Sequence, residues 1–208
     1  LTWVDENRPP EGDSTLWLAP AEPPVREPTE ADGRIYGETI EDAELPDPEP
    51  GFVWKKMPEI GAAFQMPEGW HFKHEERGGT QAFFMTRENI DELGHFRTGL
   101  SINVVRNAKE RVGQAAVDYA QAFAALACTR GKKLDAWQRR AGVFGSFSCT
   151  SQSTDPERPI VVHHLAIGNE RTDTLYLIFF ESLIESWDEA WESAGKTMME
   201  LFLIDDEV

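Results

Sequence analysis

Basic residues are scarce in this chain. Its 208 residues contain 20 lysines and arginines against 37 aspartates and glutamates, so the formal net charge is −17. Nucleic-acid binding depends on clustered lysine and arginine, and an anionic lipid surface also attracts basic segments. The composition therefore argues against nucleic acid and a bare lipid surface as partners. It favours a protein partner with a basic surface, because opposite charges speed association, or an acidity that serves solubility alone.

Long hydrophobic runs are also missing. No apolar stretch approaches the roughly 20 residues that cross a bilayer, so we expect no membrane span. The chain begins at Leu1 instead of methionine, which indicates a processed end, a trimmed chain or an incompletely assigned sequence. Removal of an export signal is the explanation we favour. A periplasmic, lumenal or other exported location is one expectation, including attachment to a membrane complex, and the cytoplasm is the alternative.

Cysteine occurs only twice, as Cys128 and Cys149, which lie 21 positions apart. Two small buried apolar side chains are the favoured interpretation. A disulfide in an oxidising compartment is the alternative. Sequence alone does not show whether the two Cα atoms reach the separation of about 4.4–6.8 Å that a bridge requires.

Groups that perform chemistry are few and scattered. The pairs His71 with His74 and His163 with His164 fall on predicted strands, where each pair points to opposite faces. No cysteine or histidine cluster has the spacing of a zinc site. The segment Gly145-Ser146-Phe147 lacks the nucleophile elbow of hydrolases. We expect no catalytic residue, no metal and no cofactor, and therefore a protein that is not an enzyme.

Residues 1–50 have the composition of an extended arm. They hold nine of the thirteen prolines and fourteen carboxylates against three arginines, a net charge of −11. Such a segment buries too little apolar surface to offset its ordering entropy and prefers extended or polyproline backbone. Spaced apolar residues suit a strap that docks into surface grooves of a partner, although a loosely attached tail is the alternative. The candidate partner-binding residues are Trp3, Leu16, Trp17, Leu18, Ile35 and Tyr36.

Residues 51–208 have the pattern of one globular domain. The segment Leu175–Phe180 is apolar on both faces, which predicts a central strand covered on both sides. Gly78-Gly79 between two alternating segments predicts a hairpin. We expect strands near residues 52–54, 62–66, 70–76, 81–86, 100–106, 133–140, 143–151, 159–167 and 174–181, with a short helical turn at 88–93.

Two helices are predicted from apolar stripes. The first carries Ala116, Tyr119, Ala120, Phe123 and Ala127 and should end with Gly131 in the left-handed conformation. The second should begin with a capping box at Ser182 and Glu185. Its apolar face comprises Ile184, Trp187, Trp191, Ala194, Met198 and Phe202. The predicted fold class is α+β, a mostly antiparallel β-sheet flanked by helices as an α/β/α sandwich.

Four segments resemble the Mog1/PsbP-like fold, the group that includes PsbP, Mog1 and the bacterial DcrB-type proteins. They are residues 64–70, residues 98–104, the helix at 119–123, and residues 177–182 followed by Trp187-Asp188. The likeness spans about residues 52–204 and implies an α/β/α sandwich. Members of this fold are mostly non-enzymatic subunits of membrane complexes, binders of a small GTPase or secretion chaperones. No binding residue of the family can be matched here.

Two functions are expected. The first is an auxiliary subunit or adaptor whose domain docks on a larger assembly while the arm binds as a strap. The alternative is a carrier of a small molecule or lipopeptide, or a chaperone-like binder, with an apolar groove between sheet and last helix. Trp70, Phe72, Trp187 and Trp191 are the candidate groove residues, and filling of the core is the competing role for them.

Overall fold

A computed structural model describes residues 40–41, 43–77, 80–205 and 207. The candidate arm residues Trp3, Leu16, Trp17, Leu18, Ile35 and Tyr36 lie outside the described residues. The division into an arm at 1–50 and a domain at 51–208 stays a prediction.

Ten antiparallel strands in the described part of the chain form two sheets, so the predicted α+β class is confirmed. The strands are β1 Phe52–Met57, β2 Ala62–Pro67, β3 His71–Arg77, β4 Thr80–Thr86, β5 Gly99–Val105, β6 Lys132–Ala141, β7 Phe144–Gln152, β8 Ile160–Asn169, β9 Thr174–Leu183 and β10 Phe202–Ile204. The large sheet has the order β3-β4-β5-β9-β8-β7-β6, and the small sheet has the order β1-β2-β10. Strands β3 and β4 pair from Arg77 and Thr80 outward, as the predicted hairpin requires.

The central position of β9 is confirmed. Its residues 174–180 are all buried, and it pairs with β5 on one side and β8 on the other. Tyr176, Ile178 and Phe180 enter one apolar core, whereas Leu175, Leu177 and Phe179 enter the other. Alternation along one strand therefore supplies both cores, one on each face of the large sheet.

The short helix α1 Ile90–Leu93 buries no residue. The helices α2 Ala108–Val112 and α3 Ala116–Thr129 cover the second of these faces. The predicted stripe is confirmed, because Ala116, Tyr119, Ala120, Phe123 and Ala127 are all buried in α3. This helix packs mainly across β7 and β8.

The predicted role of Gly131 is wrong. Arg130 ends α3 with φ −81°, and Gly131 is not among the residues with positive φ. A Cβ atom at Gly131 would instead lie 2.4 Å from the carbonyl oxygen of Gln152. Glycine is required here because the backbone of β7 passes too close for any side chain.

The small sheet and a C-terminal helical segment cover the opposite face. This segment, called the C-terminal helix below, comprises a 3-10 turn Ile184–Ser186, α4 Trp187–Ala190, a π-helix Trp191–Gly195 and α5 Lys196–Glu200. The predicted capping box is wrong, because Ser182 still belongs to β9 and its hydroxyl contacts Thr98 Oγ1 at 3.1 Å. Phe202 is not helical either, since it pairs with Phe64 in the small sheet and the two rings stack at 4.9 Å.

Cys128 and Cys149 form a disulfide, so the favoured expectation of two unbridged thiols is wrong. Cys128 lies in the last turns of α3 and Cys149 lies in β7, with a Cα–Cα distance of 5.8 Å. The packing of α3 on β7 brings the two residues together. Because this contact is tertiary, it cannot be predicted from the spacing of the two cysteines in the sequence.

Residues 43–50 run without regular secondary structure along the outer face of the small sheet. The side chains of Ile40 and Ala43 are buried, and Ile40 packs with Leu45 and Trp54. Lys56 Nζ donates hydrogen bonds to the carbonyl oxygens of Glu41 and Ala43 at 2.9 and 2.8 Å. Residues 40–41 and 43–50 are therefore held by the domain. Among the described residues, no helix has the length and apolarity to cross a bilayer.

Candidate functional site

An open groove of about 830 Å³ lies between the large sheet and the C-terminal helix. Its floor is the face of β6, β7 and β8 that the small sheet leaves uncovered, and its roof comprises the C-terminal helix and β10. The apolar side chains that line it are Leu134, Ala136, Trp137, Ala141, Phe144, Leu165, Ile167, Trp187, Trp191, Met199, Phe202 and Ile204. The polar ones are Asp135, Gln138, Arg139, Ser146, Thr150, His163, Lys196 and Glu200.

Two stacked tryptophans form one wall of the groove. The rings of Trp187 and Trp191 lie 5.3 Å apart with an interplanar angle of 19°, and Trp191 meets the edge of Phe180 at 5.9 Å. Trp191 opens the π-helix, a local form that occurs often at functional sites. Both tryptophans are only half-buried, so part of this aromatic surface stays open to the groove.

Gly195 allows the π-helix to approach the sheet. A Cβ atom at this position would lie 2.7 Å from both Phe180 Cε1 and Trp191 Cε3. Because no side chain fits, the C-terminal helix rests directly on the ring of Phe180. That contact fixes the height of the tryptophan wall above the strands.

His163 lies in the floor below Trp191, with ring centroids 4.8 Å apart. Hydrogen bonds join its Nδ1 to Thr150 Oγ1 at 2.7 Å and its Nε2 to Ser148 Oγ at 3.2 Å. Burial, with a smaller effect of His164, lowers the pKa of His163 to about 3. The imidazole is therefore neutral at physiological pH and is a poor general base, since efficient bases have a pKa near the working pH. Ser148 does lie beside His163, but a buried imidazole with so low a pKa does not activate the serine as a nucleophile.

The rim of the groove carries charges of both signs. Asp135 and Arg139 come from β6, and Lys196 and Glu200 come from α5. These charges balance, so the groove does not select a ligand by net charge. It can select a ligand by shape and by aromatic contact.

The sequence located two of the four candidate groove residues. Trp187 and Trp191 line the groove. Trp70 packs against the same core near Arg87, whose guanidinium lies 5.9 Å from the ring, and Phe72 is 39% exposed on β3. Neither lines the groove, because β3 lies at the far edge of the sheet.

The sequence missed His163 and Trp137 as groove residues. His163 lies in a strand with alternating burial, and nothing in the sequence distinguishes it from any other inward-facing residue. Trp137 lies between charged residues on the same face of β6, so no apolar alternation marks it. Only the pairing of β6, β7 and β8 brings the two residues together.

Comparison with known proteins gives a likeness in three-dimensional structure. No protein-family model matches the chain, and no curated protein matches it. Among solved structures, the chain is similar to the solution structure of cyanobacterial PsbP (CyanoP) from Synechocystis sp. PCC 6803. The sequence identity is 15%, the TM-score is 0.48, and the match covers 74% of this chain and 92% of that chain. The likeness says nothing about partner or activity.

Proposed function

We propose that this protein is a non-enzymatic binding protein whose groove takes an apolar ligand with a flat ring. The observation that carries the proposal is the open groove of about 830 Å³ beside two half-buried, stacked tryptophans. Pockets of about 300–1,000 Å³ with mostly apolar walls and a few polar groups are typical of small-molecule sites. The hydroxyl groups of Ser146 and Thr150 in the floor offer hydrogen bonds that orient such a ligand.

Calorimetric titration with 2-naphthol, a flat apolar ring with one hydroxyl, tests this proposal. Trp191→Leu removes half of the stacked wall, so we expect binding to weaken by about tenfold, as loss of an aromatic contact and its buried area predicts. Ser146→Phe places a ring in the groove from β7, and we expect it to abolish binding.

The matched control is Trp54→Leu. This tryptophan lies on the outer face of the small sheet, where Nε1 donates to the carbonyl oxygen of Pro46 at 2.7 Å. The Trp54→Leu substitution makes the same chemical change away from the groove, so binding of 2-naphthol should persist. Equal losses in Trp54→Leu and Trp191→Leu, or full binding by Ser146→Phe, would contradict the proposal.

A second function is supported by the attachment of residues 40–41 and 43–50. We propose that the acidic arm is a strap that helps the protein dock on a larger assembly with a basic surface. The buried Ile40 and Ala43 fix the carboxyl end of the arm to the small sheet. The fourteen carboxylates of residues 1–50 supply the charge for association with basic surfaces. The candidate contact residues are Trp3, Leu16, Trp17, Leu18, Ile35 and Tyr36.

Deletion of residues 1–39 tests the strap. The deletion keeps Ile40 and Ala43, so we expect the melting temperature to stay nearly unchanged. Stoichiometric co-purification with the assembly from the native source should fall, and replacement of Leu16, Trp17 and Leu18 by alanine should reproduce most of that fall. High salt should weaken the association of the full chain. Unchanged co-purification after the deletion would refute this role.

A further inference from the structure

A second cavity lies on the opposite face of the large sheet, beside the carboxyl-terminal half of α3. Its volume is about 510 Å³, and β4, β5, β8 and β9 form its floor. It is called the Glu181 pocket below. The large sheet separates it from the groove, because Phe179 and Glu181 point to one face of β9 whereas Phe180 points to the other.

Glu181 is an unusual residue for this position. Its side chain is only 21% exposed, and its one described ion pair is a long contact of 3.9 Å to Arg158 Nη2. The Arg158 side chain is itself 69% exposed, so water screens this contact. Burial raises the pKa of the Glu181 carboxyl above its usual value, and Arg158 only partly offsets this. A carboxylate held in this way costs folding free energy unless something else compensates it.

Aromatic rings surround the space next to this carboxylate. Phe84, Phe123 and Phe179 line the pocket, and the rings of Phe123 and Phe179 lie 5.7 Å apart. The face of an aromatic ring attracts an organic cation, most strongly where water is displaced. Glu75, Arg130 and Arg158 also line the pocket, so its charges are mixed. The apolar wall beside the largely buried Glu181 carboxylate matches a molecule with a cationic end and an apolar body.

We propose that the Glu181 pocket is a second ligand site, which takes a small organic cation with an ammonium or guanidinium group on an apolar body. The cation pairs with the Glu181 carboxylate and displaces the exposed end of Arg158. The apolar body packs on Phe84 and Phe179. Ser101 and Asn103 line the floor and offer further hydrogen-bond partners.

Three probes of similar shape separate the effect of charge from that of the apolar body. They are phenethylammonium, the neutral 2-phenylethanol and the anionic 3-phenylpropionate, each titrated into the full chain and followed by amide chemical shifts in NMR. We expect phenethylammonium to bind about tenfold or more tightly than the alcohol, the usual size of a charge-assisted hydrogen bond. The largest shifts should fall on Ser101, Phe179 and Glu181.

Glu181→Gln keeps the shape and removes the charge. We expect the preference for phenethylammonium to disappear in this variant. The matched control is Glu189→Gln, an exposed carboxylate of α4 on the other face of the sheet, which should keep the preference. Trp191→Leu should also keep it, so failure of the groove proposal and failure of this one are distinguishable.

Stability gives a second readout. The raised pKa means that the protonated form is favoured in the folded state, so the ionised carboxylate destabilises the fold as pH rises through that pKa. Glu181→Gln should therefore raise the melting temperature at pH 7 without ligand. A fall would show that the carboxylate serves a structural pair with Arg158 and would overturn the proposal. Tightest binding by 3-phenylpropionate, or equal binding by all three probes, would overturn it as well.

Binding of phenethylammonium should weaken as pH falls, because protonated Glu181 no longer attracts a cation. The other charged or titratable groups that face the pocket are Arg158, Arg130, His164 and Glu75. Burial lowers the pKa of His164 to about 4, so this imidazole stays neutral between pH 5 and 8. A decline within that window that is absent in Glu181→Gln assigns the effect to Glu181. A decline of the same size in both proteins would count against the assignment.

Discussion

Two neighbouring histidines of β8 are held neutral on opposite faces of one strand. His163 is fixed by two hydroxyl groups of β7 below Trp191. His164 Nδ1 donates to the carbonyl oxygen of Cys149 at 3.2 Å, and its ring meets Phe179 edge-on. Burial lowers the pKa of His163 to about 3 and that of His164 to about 4. Each residue therefore links folding to pH.

The protein should lose stability as pH falls below about 6.5. There the unfolded chain takes up protons at both histidines, whereas the folded chain binds them only near pH 3–4. At pH 5 each histidine should lower the free energy of unfolding by about 2 kcal/mol relative to pH 7. Urea unfolding at the two pH values measures this loss.

His163→Gln should reduce the loss by about half, since glutamine retains a hydrogen bond to the hydroxyls and does not titrate. His71→Gln, at an exposed position on β3, is the matched control for the substitution itself. A His163→Gln variant with the same loss as that control would show that His163 is not a site of this linkage.

Elements whose pattern is local could be predicted from the sequence. The run of consecutive apolar residues 175–180 predicts strand β9, and an apolar stripe at helical spacing predicts α3. The hairpin of β3 and β4 follows from two glycines between alternating segments. In each case the side chains that define the element also bury it, so propensity and packing agree.

Elements whose form depends on a distant neighbour could not be predicted. Ser182 pairs with Val161 in β8, and this partner extends β9 past the predicted helix start. Gly131 is required by the approach of Gln152, and Gly195 by the ring of Phe180. The apolar face of the C-terminal helix was predicted, but not its π-helical turn. The groove between the sheet and the last helix was predicted, with Trp187 and Trp191, but its floor was not, because the floor forms only where β6, β7 and β8 pair.

The two layers that cover the large sheet are attached to it in different ways. Apolar contacts join the C-terminal helix and the small sheet to one face of the large sheet. On the other face, α3 is tied to β7 by the Cys128–Cys149 bridge in addition to its apolar stripe. A bridge of this kind persists in an oxidising compartment.

Loss of the disulfide should therefore destabilise the whole fold without changing the groove. The bridge closes a loop with a sequence separation of 21, for which the chain-entropy model gives about 3 kcal/mol. Replacement of both cysteines by alanine should lower the free energy of unfolding by about that amount, and alanine buries no new polar group at position 149. Binding of 2-naphthol should persist, because the bridge lies on the α3 face and the groove on the other. Urea unfolding of the oxidised protein, the reduced protein and the double variant measures the effect. Equal unfolding free energies for all three would show that packing alone positions α3, and that the bridge adds nothing to the stability of the layers.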